Sequence, residues 1–485
     1  MKKAVVFFSC LLVFSSVFGQ TGFEFAAMAE DSSDNFSYRS VIEQPSGGYI
    51  VLGVSGDFYQ QNNGILLFRL DSHGQLVDTA SIHHPDYSIV PRMIFPVSDS
   101  NLFVLARAIV LNTGEEKLWM GTFTSDFQLV SESLISYNFP GIRNINGFRE
   151  SDSTIVITGW CDGFATSYMA RINYVSNDAF FVHYDNFEID LLFDILPRKD
   201  SAGYVVLGDS EYYLTNENFE ISRKIEKTIS TPYSPHLTGS LLDDFSDSTY
   251  LFTAIAHFPP GNIDTSAFLV GRLMSDSLVI QKLQLIGIAT YPSDSLYVRV
   301  YPAFSNSLAK NTGFVFAGGT KNFEINENWE SKFILGKYDI SLNKVWEKEF
   351  GEDSVYYFMS GLIATSDGGC LMYGRRRQYL NDYPREAYIL KVDKDGLITG
   401  EVSIPLPEPL LVYPNPAQDY IQCKLPDGYP YAQLYVMDIS GRVVLTKPIS
   451  DRERIDVSFL PAGMYLFQVF DPVGKSLGAG KLIKE

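Results

Sequence analysis

One short pattern recurs along most of the chain and limits what it can become. A turn rich in Ser, Asp and Gly leads into a small residue, four mostly apolar residues, and then Gly or Ala. It occupies residues 48–53, 101–106, 154–159, 203–208, 249–254, 313–318 and 369–374. These seven copies are spaced by 53, 53, 49, 46, 64 and 56 residues. Asp and Ser in the turns bond their own backbone, and Gly accepts a positive φ. An apolar run precedes each turn, and two more short runs follow the core. The repeat is therefore four short strands, A to D, in about 50 residues. One such unit cannot bury both of its faces, whereas several packed around an axis bury them against each other. Four-stranded units of this length predict an all-β chain, a seven-bladed β-propeller. The long fifth interval leaves six or eight blades open.

Closing a ring requires one strand from elsewhere. Residues 23–27 could supply the outer strand of the last blade, and residues 402–405 compete for that place. Composition agrees with strands: aromatics make up 14% of 485 residues, including 29 Tyr and 35 Phe. Such side chains suit a pleated, half-buried surface. The repeats resemble the degenerate propeller repeats common in secreted bacterial proteins, a likeness that covers residues 21 to about 405 and implies no activity.

Residues 1–19 read as a signal peptide. Lys2 and Lys3 precede a short apolar run, and Val17, Phe18 and Gly19 fit a cleavage site. No stretch is long and apolar enough to predict a membrane span. The expected mature chain has three cysteines, Cys161, Cys370 and Cys423. An odd, low count excludes a disulfide framework. The net charge of −19 argues against nucleic acid as a partner.

A different pattern begins after the proline-rich linker 402–410. It contains Pro414-Asn415-Pro416, an alternating run at 419–424, a hairpin turning at Ser440-Gly441, the segment Leu460-Pro461-Ala462-Gly463-Met464-Tyr465, and a basic end with Lys481. Six or seven short strands predict a small β-sandwich over 411–485. These motifs, in this order, resemble the type A C-terminal sorting domain of the type IX secretion system. The resemblance implies export, engagement of residues 411–485 by the translocon and its processing protease, and release or anchoring at the outer cell surface. The body, 20–401, would then be the cargo.

Strand alternation places the A–B and C–D turns at one end of the propeller and the B–C and D–A connections at the other. The short turns all fall at the first end. Long connections fall at the second, at 55–64, 255–266, 319–331 and 375–386, and at 83–89, 136–142, 229–236 and 287–296. Loops on a rigid scaffold commonly carry binding. Aromatic rings with a polar handle suit sugar and protein surfaces. The candidate ligand residues at this end are Tyr59, Tyr87, Tyr137, Trp160, Tyr233, Tyr291 and Tyr379, with Arg375 and Arg376 to meet a carboxylate or sulfate.

Neither a catalytic motif nor a cofactor motif is present. His83 and His84 lack a second cluster at ligand spacing, so no metal is expected. Asp393 to Gly396 reads as a C–D turn rather than a calcium loop. The sequence points to a non-catalytic glycan- or protein-binding module. A hydrolase or lyase with acidic residues at the propeller mouth, and a structural surface component, are the alternatives.

Overall fold

The computed structural model describes residues 22–27, 37–398 and 412–485, apart from 56–62, 99, 140, 143–144, 162–165, 185–188, 190, 210, 227–233, 237–238, 258–265, 276–279, 287–296, 304–305, 326–327, 379–385, 426–428, 439–442 and 471–475. The expected signal peptide and linker lie outside these. Every regular element among the described residues is a strand. The chain divides into two compact units, Met1–Gly400 and Glu401–Glu485.

In the first unit each repeat folds as an antiparallel meander. Blade 1 runs Ser37–Glu43, Tyr49–Ser55, Gly64–Leu70 and Leu76–Ile82, in that spatial order. Blades 2 to 6 repeat the arrangement. In blades 5 and 6 the inner strand is split in two, as Ser234–His236 with Leu241–Asp243 and Tyr297–Pro302 with Leu308–Lys310. The interruption in blade 6 lies within the long fifth interval, and that in blade 5 lies within the fourth. Blade 7 contributes Val355–Ala364, Cys370–Gln378 and Glu386–Val392, and takes its outer strand from the other end of the chain. Phe23–Ala27 pairs antiparallel with Glu386–Val392, with Phe23 opposite Lys391 and Ala27 opposite Ala387. The choice of closing strand is thereby made. Residues 402–405, the competitor, lie outside the described residues.

The packing is cyclic. Seven apolar clusters each join one sheet to the next. The last of them sets Tyr38, Tyr49 and Phe68 of blade 1 against Phe23, Leu371, Tyr373 and Ile389 of blade 7, and so joins the two. The same seam is stapled at its turn end. There Glu43 accepts hydrogen bonds from the Ser366 amide at 2.8 Å and the Ser366 hydroxyl at 2.7 Å.

The C–D turns share one local design. The Asp71 carboxylate accepts bonds from the amides of His73 and Gln75, and Gly74 follows with φ of 79°. Asp339 and Asp393 do the same before Leu342 and Gly396. At the positive-φ place blades 2, 4 and 6 carry Phe127, Phe219 and Leu342, each buried between blades. Gly74 is small for a different reason: a Cβ there would meet the Phe23 ring at 2.2 Å. The bare turn makes room for the closing strand.

Two expectations need correction. The expected loop 319–331 is mostly strand, because Phe314–Ile325 and Asn328–Asp339 are long and pair from Phe314↔Asp339 to Ile325↔Asn328. Arg375 and Arg376 likewise belong to the strand Cys370–Gln378 and not to a loop. In both cases ladder pairing continues past the point where the apolar pattern fades. Cys161, Cys370 and Cys423 are buried, and none of them forms a disulfide among the described residues. Cys161 forms an isolated antiparallel β-bridge with Ile142.

A buried carboxyl joins blades 4 and 5. Asp194 accepts the Leu241 amide at 2.8 Å and the Ile195 amide at 2.9 Å. Burial dominates these two bonds and pushes its pKa up to about 7.

The second unit is a sandwich with one core. Three strands, Val412–Tyr413, Tyr420–Cys423 and Arg454–Asp456, form one sheet. The other is ordered Val443–Ser450, Tyr431–Met437, Gly463–Phe470 and Ser476–Lys484.

Two outcomes follow. Phe23→Ala should lower stability by about 3–5 kcal/mol, the usual loss for a buried Phe. Val77→Ala, at a position 60% exposed on the outer strand of blade 1, should change it by under about 0.5 kcal/mol. Urea unfolding of the two variants checks this. For Asp194 the folded pKa lies above the unfolded one, so its contribution is fully present at acid pH and is lost as pH rises towards 7. Asp194→Asn should flatten stability between about pH 4 and 7 in melts across that range. An unchanged slope would remove the carboxyl from the explanation.

Candidate functional site

Four of the nine loop-end candidates, Tyr59, Tyr233, Tyr291 and Tyr379, lie outside the described residues. Of the other five, Tyr87, Trp160, Arg375 and Arg376 lie on inner or second strands, and Tyr137 lies on the connection that follows Leu129–Ile135, the outer strand of blade 2. Tyr87 opens the inner strand of blade 2, Tyr87–Ser98. It stacks on His84 at 3.8 Å between ring centres, and His84 lies 3.6 Å from the Glu132 carboxylate. Burial, then Glu132 and Asp86, raise the Tyr87 pKa. Tyr137 stacks on Phe139 at 4.7 Å, and Phe139 on His183 at 4.8 Å, between blades 2 and 3. The Tyr137 hydroxyl donates to Glu116 at 3.5 Å, and its pKa is raised, mainly by burial. Trp160 ends the second strand of blade 3 opposite Ser167 and is half-buried.

The two arginines diverge. On Cys370–Gln378 successive side chains alternate between faces. Leu371 and Tyr373 face blade 1, whereas Cys370 and Met372 face blade 6. Arg375 therefore turns to the blade 1 side, where its guanidinium lies 4.7 Å from the Phe358 ring centre. Arg376 turns to the other side. It donates to Glu386 at 2.6 Å and lies 4.9 Å from the Tyr388 ring centre. Glu386 raises its pKa against the opposing effect of burial.

Arg39 was missed by the sequence reading. The inner strand of blade 1 pairs Tyr38 with Gly53 and then Ser40 with Leu52, so Arg39 is an extra residue at a β-bulge. Bulges re-aim a side chain and cluster near functional sites. Its Nε is buried without a hydrogen-bonding partner among the described residues, and the Tyr38 hydroxyl beside it is in the same state. Burial, then the charge of Arg375, lowers the Arg39 pKa to about 10, which leaves it cationic at neutral pH. Blade 2 has a bulge at the equivalent place, and its extra residue is Arg92. The available signal was an arginine inside each apolar inner-strand run.

In the tail the motif residues act on the last strand. The Asn415 side chain donates to the Lys481 carbonyl at 2.6 Å and accepts the Ile483 amide at 2.8 Å. Ala417, just past Pro416, donates its amide to the Ile483 carbonyl at 2.8 Å. Pro414-Asn415-Pro416 is thus a clasp on Ser476–Lys484. The Tyr465 hydroxyl donates to the Pro461 carbonyl at 2.8 Å and closes the turn before Gly463–Phe470. A Cβ on Gly463 would meet nothing within 4 Å. Gly441 lies outside the described residues.

Residues 411–484 match the family described as the secretion system C-terminal sorting domain. The tail is a C-terminal sorting domain. This domain implies engagement with the type IX secretion machinery and a destination outside the cell or attached to its surface. No curated protein matches the chain. Among solved structures, a protein of unknown function from Bacteroides caccae is 12% identical, with 65% of this chain and 94% of that one covered and a TM-score of 0.34. The WD40 domain of coronin from Toxoplasma gondii is 9% identical, with coverage of 79% and 89% and a TM-score of 0.42. The propeller domain of the Trilobed protease from Pyrococcus furiosus is 8% identical, with coverage of 80% and 100% and a TM-score of 0.38. At TM-scores below 0.5 these likenesses add nothing to the strand pairing and cyclic packing on which the propeller stands.

Removing the Asn415 clasp should free the end of the sorting domain. In Asn415→Ala, hydrogen exchange at the Ile483 amide should speed up by about tenfold, the equivalent of one lost hydrogen bond. Gly463→Ala should leave that rate unchanged.

Proposed function

We propose that the body, residues 20–401, is a non-catalytic binding module of the cell exterior, and that its loop-bearing end grips a glycan or a protein. The asymmetry between the two ends carries this reading. At one end the turns are short, and their polar side chains bond their own amides, as Asp71, Asp339 and Asp393 do. At the other end the connections are longer, and half-buried Tyr87, Tyr137 and Trp160 stand beside them. Rings of that kind present flat apolar area with little rotamer entropy to lose. The tail, 411–485, serves the translocon, and the processing protease separates it near the linker 402–410.

A glycan-active hydrolase or lyase would need carboxylates poised at the same end. The one carboxyl there with a pKa near neutrality is Asp194 among the described residues, and both of its oxygens take backbone amides. That is the work of a strut, not an acid.

The secreted protein should retain ligands on a glycan and protein array and release no product from a hydrolase panel. Turnover that disappears on a single Asp→Asn or Glu→Gln change at the loop end would replace this reading with an enzyme.

A further inference from the structure

Blade 1 and blade 7 meet along the seam that closes the ring. On the blade 1 side Tyr38 and Val41 pack into the shared cluster, with Arg39 between them at the bulge. On the blade 7 side Leu371 and Tyr373 enter the same cluster, and alternation brings Arg375 to that side one step nearer the loop end. Two guanidinium groups are thus directed to one seam. A buried guanidinium nitrogen without a partner is costly. A neighbouring like charge adds to that cost. The chain has 57 acidic residues against 38 basic ones, so carboxylates are not scarce. Among the described residues, the charged group that acts on Arg39 is nevertheless another arginine.

A planar guanidinium matches a carboxylate or sulfate by parallel hydrogen bonds, and an oxyanion between two arginines relieves their repulsion. The ring of Phe358 lies beneath Arg375, 4.7 Å from its guanidinium carbon. The loop end beyond carries tyrosine and tryptophan rings of the kind that stack on sugar faces. Cation and ring together fit a charged sugar better than an acidic peptide, whose carboxylates carry no flat face.

We propose that Arg39, with Arg375 beside it, is an oxyanion seat at the loop-bearing end of the seam between blades 1 and 7, and that it takes the carboxylate or sulfate group of an acidic polysaccharide. This rests on the body being a binding module. The seat anchors the charge, and the aromatic loop end reads the sugar.

The test uses the secreted protein and its Arg39→Gln, Arg39→Lys and Arg375→Gln variants. Binding is measured calorimetrically to polygalacturonate, chondroitin sulfate, neutral dextran and polyglutamate, at low and high salt. Polygalacturonate and chondroitin sulfate separate carboxylate from sulfate as the source of the charge. The wild type should bind one of them at least tenfold more tightly than dextran, and less tightly as salt rises. Arg39→Gln and Arg375→Gln should each weaken that binding tenfold or more. Arg39→Lys, which keeps the charge without the fork, should fall between. Because Arg39 Nε has no hydrogen-bonding partner among the described residues, Arg39→Gln should melt no lower than the wild type, and Arg375→Gln gives the second reading if it does. Unchanged affinity in both Gln variants overturns the seat. Wild-type affinity for dextran equal to that for both acidic polymers would overturn it while leaving the binding module intact. Preference for polyglutamate overturns the polysaccharide. A wild type that binds nothing overturns both seat and module.

Discussion

The second and third strands of each blade are apolar on both faces, and no single sheet can cover both. In Tyr49–Ser55 every residue from Tyr49 to Val54 is buried. Burial of one such side chain contributes about 1.5–3 kcal/mol. The ring therefore stands or fails by whether each sheet finds a neighbour on either side. A linear stack would leave two faces bare. The cluster of Phe23, Tyr38, Tyr49 and Phe68 with Leu371, Tyr373 and Ile389 removes both at once. Pairing of Phe23–Ala27 with Glu386–Val392 secures the closure by backbone hydrogen bonds, because one blade then holds both ends of the body.

Closure also decides where polar groups can sit. Between blades, buried hydroxyls and one carboxyl serve backbone amides. Ser331 bonds the amide of Tyr357, Ser167 bonds that of Leu192, and Asp194 bonds that of Leu241. These satisfy inner-strand groups that the ladder leaves over. At the turn end Asx side chains do the same for their own loops. Arg39 departs from this economy. The bulge that admits it also takes it out of the alternating pattern that would have placed it in the core or in solvent.

The sorting domain depends on a different device. Its last strand lies at the edge of a sheet, where fraying is easiest. Asn415 and Ala417 reach across to hold it from the start of the domain. First and last segments are thereby tied, which is why the motif residues sit at opposite ends of the tail.

Much of this was legible in the residues. The repeat at near-constant spacing determined the strand count, the blade and the ring, because period-two runs between Asx turns leave the chain few other ways to bury itself. The ordered tail motifs determined the destination. Asp71, Asp339 and Asp393 were readable as turn formers because their bonds are local. What only the tertiary structure decided involves pairs far apart in sequence. The closing strand was chosen by its fit beneath Gly74 and against Tyr49, at positions that no local pattern links. Arg375 and Arg376 looked alike in the chain, and strand alternation sent one to Glu386 and the other to the seam. The bulge that aims Arg39 was invisible for the same reason: it is a mismatch between two strands, and one strand read by itself does not contain it.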